Sequence, residues 1–255
     1  MCFDWDSRPP IPAIAGGATD ARDLVLVSAD GTRFGAYAAR AARPSGAGMI
    51  VLPDVRGLHA YYKELALRFA EAGVDSVAID YFARTAGLGE RGEGFDFLAQ
   101  VPQTTPETLQ ADAAAAAAHL RSKAGGGVRA LFAVGFCFGG ALAFLQAASG
   151  LGYAGVIGFY GWPLGLARWP DRPRPIDAVP RFRCPVLALY GGADPGIPAS
   201  AVEEFDRALT GAGVAHESVS YDGAPHSFFD RKQSEFAEAS ADAWRRVQAF
   251  VKAHS

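Results

Sequence analysis

The chain is short of cysteine, of basic excess and of long apolar runs. Its three cysteines, Cys2, Cys137 and Cys184, stand far apart in 255 residues. That is no disulfide framework and fits a reducing compartment. Lysine and arginine number 24 against 27 acidic residues, a net charge of −3. A basic face for nucleic acid is therefore not expected. No stretch approaches the roughly 18 uninterrupted apolar residues of a membrane span. The opening MCFDWDSRPPIP has acidic residues where a signal peptide needs a basic start. A cytoplasmic protein without a membrane partner is the expectation. There is no C-x-x-C, no H-E-x-x-H and no P-loop. No metal site, nucleotide or other cofactor is expected.

What is present is a core. Half the residues are hydrophobic and 11% are aromatic, ample for one large α/β domain spanning 1–255. Residues 1–20, rich in Pro, Gly and Ala, read as an irregular arm. Two β-type runs flank Asp30-Gly31, a hairpin signal. Apolar strands follow at 48–53, 74–80, 128–136, 153–161 and 184–192, with a further strand at 216–222. Helical spacing appears at 61–73, 105–122, 138–149, 200–213 and 234–254. Thr105 and Pro106 read as N-cap and first helical residue, and Gly73 as a helix stop. Alternating strands and helices predict a mostly parallel sheet covered on both faces, with an antiparallel N-terminal hairpin at one edge. The one long loop, 161–183, is long enough to carry function.

Cys137 lies in VGFCFGGALAF, between β-formers and a helical run. G-x-C-x-G at a strand-to-helix junction is the pattern of a nucleophile elbow. Gly135 and Gly139 allow close backbone approach, and the helix N-terminus favours thiolate over thiol. Phe138 would offer its backbone N–H to an oxyanion. A nucleophile needs a base and an orienting acid. Three histidines follow Cys137. His254 is penultimate and His216 opens a strand, but His226 sits in a Gly/Pro loop after a strand. Asp194 occupies a Gly-rich loop after another apolar strand. Cys137, Asp194 and His226 thus fall at strand carboxyl ends, where open α/β sheets bind ligands. The loop after 48–53 should supply the second oxyanion donor, Val55, with Asp54 beside the nucleophile. His59 in that loop reads as a plain loop histidine.

DYFAR (80–84), GFCFGGALAFL (135–145), GFYG (158–161), YGGADPGIP (190–198) and GAPHSF (223–228) stand in an order and spacing that resembles the dienelactone hydrolase family. These are cysteine-dependent α/β-hydrolases, or carboxymethylenebutenolidases, and the resemblance runs from about residue 22 to the C-terminus. It implies an α/β-hydrolase fold and a Cys137–His226–Asp194 triad, with Phe138 and Val55 as oxyanion donors. It implies opening of a lactone or small ester through an acyl-thioester. Asp54 matches a family glutamate that contacts the thiol, one methylene shorter. Arg84 matches one of two arginines that hold the substrate carboxylate. The other position is Asp230, with Arg231 next to it. Arg84, Tyr160, Trp162 and Arg231 are the substrate-binding candidates. The 161–183 loop carries Trp162, Arg168, Trp169, Arg172 and Arg174, and is expected to cover the pocket and alter the substrate. A broad carboxylesterase or thioesterase for neutral esters is the alternative on the same triad. A non-catalytic ligand-binding homologue and a thiol redox sensor are the readings from other classes. Monomer and homodimer both stay open.

Overall fold

The computed structural model describes residues 3–166 and 168–255. Cys2 lies outside the described residues. Among the described residues eight strands form one sheet in the order β1-β2-β4-β3-β5-β6-β7-β8. β1 (Ala18–Val27) and β2 (Arg33–Ala41) make the expected hairpin, closed by Ser28 N–H to Thr32 O at 2.9 Å with Gly31 at φ 83°. The strand begins at Ala18, so the end of the arm expected over 1–20 already belongs to the sheet. β2 also pairs antiparallel with β4 (Asp75–Ile79). Every later pairing is parallel: β3 (Ala47–Leu52), β5 (Ala130–Phe136), β6 (Gly155–Phe159), β7 (Val186–Gly191) and β8 (His216–Tyr221).

The helices are α1 (Ala60–Glu71), α2 (Ala83–Ala86), α3 (Phe97–Gln100), α4 (Pro106–Arg121), α5 (Phe138–Gln146), α6 (Pro175–Ala178), α7 (Ala199–Gly211) and α8 (Ala237–Ala253). α4 starts as its sequence predicts: Thr105 and Thr108 form a reciprocal capping box, with Pro106 in the first turn. α1 buries Tyr61, Tyr62, Leu65 and Phe69 against the sheet and ends before Gly73, whose φ is 91°. The closing helix starts later than its periodicity suggests, because Ser234–Phe236 is a 3₁₀ turn. Three short helices escape the sequence reading. α2, α3 and α6 have four residues each, too short for a 3.6-residue period to show. α6 lies inside 161–183, which is therefore partly helical. Strands β3 through β7 are buried almost throughout, as a doubly covered parallel sheet requires, whereas edge strand β8 is only half-buried. Among the described residues no helix is long and apolar enough to cross a membrane.

The crossing of β5 into α5 is packed backbone on backbone. A Cβ on Gly135 would lie 1.8 Å from Gly139 O, and one on Gly139 only 2.1 Å from Leu52 O. One on Gly140 would meet Phe159 O at 2.6 Å. No side chain can retreat from such contacts, since the obstacle is main chain. Gly135→Ala is expected to cost about 3 kcal/mol or more. Urea unfolding of the variant and the parent checks this, and equal midpoints would show that the turn has slack.

Candidate active site

Cys137 is the single residue between β5 and α5, with φ 57° and ψ −115°. For a residue with a Cβ this is a strained backbone region. Its N–H donates to Phe159 O at 3.0 Å, and its carbonyl accepts from Gly140 and Ala141, so both flanks of the turn are fixed. Two further non-glycine residues among those described have positive φ, Tyr160 at 40° and Ser227 at 62°. Tyr160 follows β6 directly and Ser227 follows His226. The Tyr160 ring lies 4.8 Å from the His226 ring between centroids. All three strained residues therefore sit at the carboxyl edge of β5, β6 and the loop after β8. Strain concentrated in this way marks a site that the surrounding fold over-determines.

Asp194 follows β7 in a turn closed by Ile197 N–H to Asp194 O. Its Oδ1 accepts from Gly196 N–H at 2.8 Å and its Oδ2 meets His226 Nδ1 at 2.5 Å. Burial pushes the Asp194 carboxyl upward, but the His226 hydrogen bond and charge outweigh it, helped by the Gly196 N–H. The net result is a pKa below the ordinary value. An ionised Asp194 holds a proton on Nδ1. Nε2 of His226 is buried and makes no hydrogen bond among the described residues. The Trp162 ring lies over the imidazole, 5.1 Å between centroids and 24° between planes, which fixes the ring's orientation. Cys137, Asp194 and His226 are 2%, 6% and 9% exposed.

Asp54 is fully buried in the loop after β3. Its Oδ1 accepts from Arg56 N–H at 2.8 Å and its Oδ2 from Phe3 N–H at 3.3 Å. Burial raises its pKa to about 6, against the pull of the Arg56 and Phe3 amides and the Arg56 charge. His59, 4.0 Å away, gives no counter-charge. Burial, then the charges of Arg56 and Arg8, hold it down to about 3. Val55 is buried next to Asp54. Tyr81 of DYFAR donates its hydroxyl to the Pro53 carbonyl and to Asp54 O, pinning this loop to the end of β4.

The aromatic pair in MCFDWD has a place that the sequence alone does not give. Phe3 is buried and stacks on Tyr61 at 3.9 Å, with Phe136 and Tyr160 at 6.1 and 6.2 Å. Trp5 stands edge-on to His59. Behind them Ser7 Oγ donates to Asp230 Oδ2 at 2.6 Å and Arg8 N–H to Asp230 Oδ1 at 3.2 Å. Asp230 is thus turned toward the arm, and its negative charge is met by protein donors.

Two of the substrate-binding candidates are engaged elsewhere. Arg84 is bidentate toward Asp112, with Nη2 to Oδ1 at 2.8 Å, and also binds Asp30 at 2.5 Å and Thr32 at 2.8 Å. With two carboxylates on one guanidinium, it ties the hairpin turn to α4 rather than standing unpaired for a ligand. Arg231 is largely exposed and bonds to Glu64 Oε1 at 3.0 Å and to Pro9 O. Tyr160 and Trp162 remain, both in contact with His226. The spelling GLGERG at 87–92 lies in an exposed loop beyond α2 and not in a strand-to-helix turn, so it lacks the context of a phosphate cradle. Among the described residues no group of His, Cys, Asp and Glu is arranged to hold a metal.

A mostly parallel sheet with an antiparallel N-terminal hairpin, and a nucleophile-type elbow at its carboxyl edge, define the α/β-hydrolase fold. Within that fold the chain belongs to the dienelactone hydrolase family, whose profile matches residues 34–255. A Methylorubrum extorquens protein described as "Putative carboxymethylenebutenolidase" is 28% identical over 250 residues, 95% of this chain and 86% of that one. The same description is attached to an Escherichia coli K12 protein, 27% identical over 96% of this chain and 89% of the relative. The crystal structure of a "Putative Dienelactone Hydrolase" from Klebsiella pneumoniae superposes with a TM-score of 0.77 at 27% identity, covering 92% of this chain and 99% of that one.

The buried Asp54 makes a pH prediction. Its pKa is raised from 3.8 in the unfolded chain to about 6 in the fold. Between those values the native state keeps a proton that the unfolded state has lost. Stability therefore falls as pH rises through about 4 to 6, by a few kcal/mol at most, and this contribution is gone above it. Urea midpoints at pH 4.5 and 7 should diverge less in Asp54→Asn than in the parent. An equal divergence would show that Asp54 ionises freely.

Proposed function

We propose that this member of the hydrolase family cleaves a lactone or small carboxylic ester, with Cys137 as nucleophile, His226 as base and Asp194 as the residue that orients and charges the base. The observation that carries the reading is the 2.5 Å Asp194–His226 contact beside a cysteine strained at a strand-to-helix turn. Free cysteine is only a few per cent thiolate at pH 7. The N-terminus of α5 and a neighbouring imidazole raise that fraction. The thiolate adds to the substrate carbonyl, forming the C–S bond, and the carbonyl π pair moves to oxygen. The backbone N–H groups of Phe138 and Val55 receive that oxyanion; one such donor is typically worth about 10²–10³ in rate. Collapse expels the alkoxide, protonated by His226, and leaves an acyl-thioester. Water, deprotonated by His226, then adds and releases the acid and the thiol. Asp194 stays ionised throughout.

Asp54 would influence the thiol only if its hydrogen bond to Phe3 were exchanged for one to sulfur. A carboxyl with a pKa near 6 can make that exchange in either protonation state. Broad activity on neutral esters is the second reading. It is favoured by the commitment of Arg84 to Asp30 and Asp112, which removes the family's means of holding a substrate carboxylate.

Cys137→Ala is expected to lower p-nitrophenyl acetate hydrolysis by at least about 10³-fold, with Cys137→Ser also far below the parent. Mass spectrometry of quenched His226→Asn should find the acyl group on Cys137. Near-parental hydrolysis by Cys137→Ala would overturn the assignment.

A further inference from the structure

A cavity of about 380 Å³ lies between α4, α5 and the 161–183 loop. Phe138 and Trp162 form its wall toward the candidate site, and Leu142, Leu145 and Trp169 continue its apolar lining. Phe138 follows Cys137 directly, and Trp162 is the ring stacked on His226. The cavity therefore lies directly beyond these two rings from the place where a scissile carbonyl would sit. Of the charged groups in this lining, Arg172 is half-buried, whereas Glu107 and Arg181 are exposed.

Arg172 is half-buried, and among the described residues it has no carboxylate partner. Its hydrogen bonds leave from Nη2 alone, to the Val101 carbonyl, to Thr104 O at 3.2 Å and to Thr104 Oγ1 at 2.8 Å. Those bonds aim the guanidinium without neutralising it. Its carbon lies 5.0 Å from the Phe138 ring centre and 5.8 Å from that of Trp169. A cation removed from water without a counter-charge is costly to keep, and burial indeed lowers the pKa of Arg172. The arginines whose side chains are most buried among the described residues, Arg68, Arg84 and Arg91, are each paired with a carboxylate.

We propose that this cavity binds the apolar body of an anionic ester or lactone, and that Arg172 holds the substrate's carboxylate across the Phe138 ring from the nucleophile. The assignment rests on the hydrolase reading above and names its substrate class. It also accounts for the two arginines that are engaged elsewhere: the carboxylate-holding cation stands on the 161–183 loop. The aromatic walls select a flat or bulky apolar group, and Nη1 of Arg172, which donates to nothing among the described residues, can give a carboxylate one charge-assisted hydrogen bond.

The test uses phenylacetate and its neutral counterpart phenylacetamide as probes, with the parent chain and Arg172→Gln, which can still donate to Val101 and Thr104. Binding is read by tryptophan fluorescence and calorimetry. The parent should bind phenylacetate at least about tenfold more tightly than phenylacetamide. Arg172→Gln should lose that preference while keeping its affinity for the amide. Equal affinities in the parent, or an unchanged preference in the variant, would overturn the proposal. If Arg172→Gln does not fold, Leu142→Trp decides, because it fills the cavity without touching the guanidinium; unchanged phenylacetate binding would then refute the site. Hydrolysis of an aryl hemisuccinate against the matching aryl acetate is measured alongside. A parent inactive on both would reject the Cys137 reading, while the probe binding would still decide this one.

Discussion

Main-chain contact at the end of β5 is the constraint from which the rest of the site follows. Three glycines let the first turn of α5 descend onto Leu52 O and Phe159 O and bring Gly139 O against Gly135 of β5. With no room to relax, Cys137 takes a positive φ and its side chain is lifted from the sheet at a helix N-terminus. The same approach seats the loop after β3, and with it Val55 and Asp54, next to the elbow. Register does the remainder. Parallel pairing of β5 with β6 and of β6 with β7 brings Tyr160 and the Asp194 turn to the same edge, and the loop after β8 returns His226 to Asp194. A single glycine replaced by alanine would act on all of these at once.

The fold was legible because its elements carry strong local signals. Apolar strands, an Asp-Gly turn, a Thr-Pro helix start and a Gly stop each have one mechanism, and they agree. The candidate triad residues were legible for a different reason: chain order and strand ends restrict where a nucleophile, acid and base can meet. The arm was not. Phe3 finds Tyr61, and Ser7 finds Asp230 across more than two hundred residues, and no local pattern encodes such a contact. The only trace is the density of aromatics in MCFDWD. Partner choice among charges was equally hidden. Arg84 stands in the right motif, yet Asp30 and Asp112 reach it first, because the hairpin turn and α4 are brought over α2 only by the completed sheet.

Charge is distributed around the site in a consistent way. The arm closes the region near residue 230 with Ser7 and the Arg8 amide, so a carboxylate there is satisfied by protein. Asp54 is held by two backbone amides and, being buried, is readily protonated. Neither demands a cation from the substrate side. On the opposite wall Arg172 is a half-buried cation with no carboxylate partner among the described residues. An acyl group entering between Phe138 and Trp162 would thus meet an apolar path leading from the oxyanion donors to a single positive group.

This arrangement also bears on rate. Cys137 and His226 are nearly inaccessible as the chain stands, and Trp162 both covers the imidazole and walls the cavity. A substrate must displace or slide past that ring to reach the thiol. Binding energy gathered remotely, from apolar contact and from Arg172, can be used to shift Trp162 and to align the carbonyl, and then appears in kcat as well as in KM. Small acetate esters lack those contacts and would open the site poorly even with intact catalytic groups. Slow turnover of such esters, taken alone, would therefore reflect the entrance rather than the competence of the nucleophile.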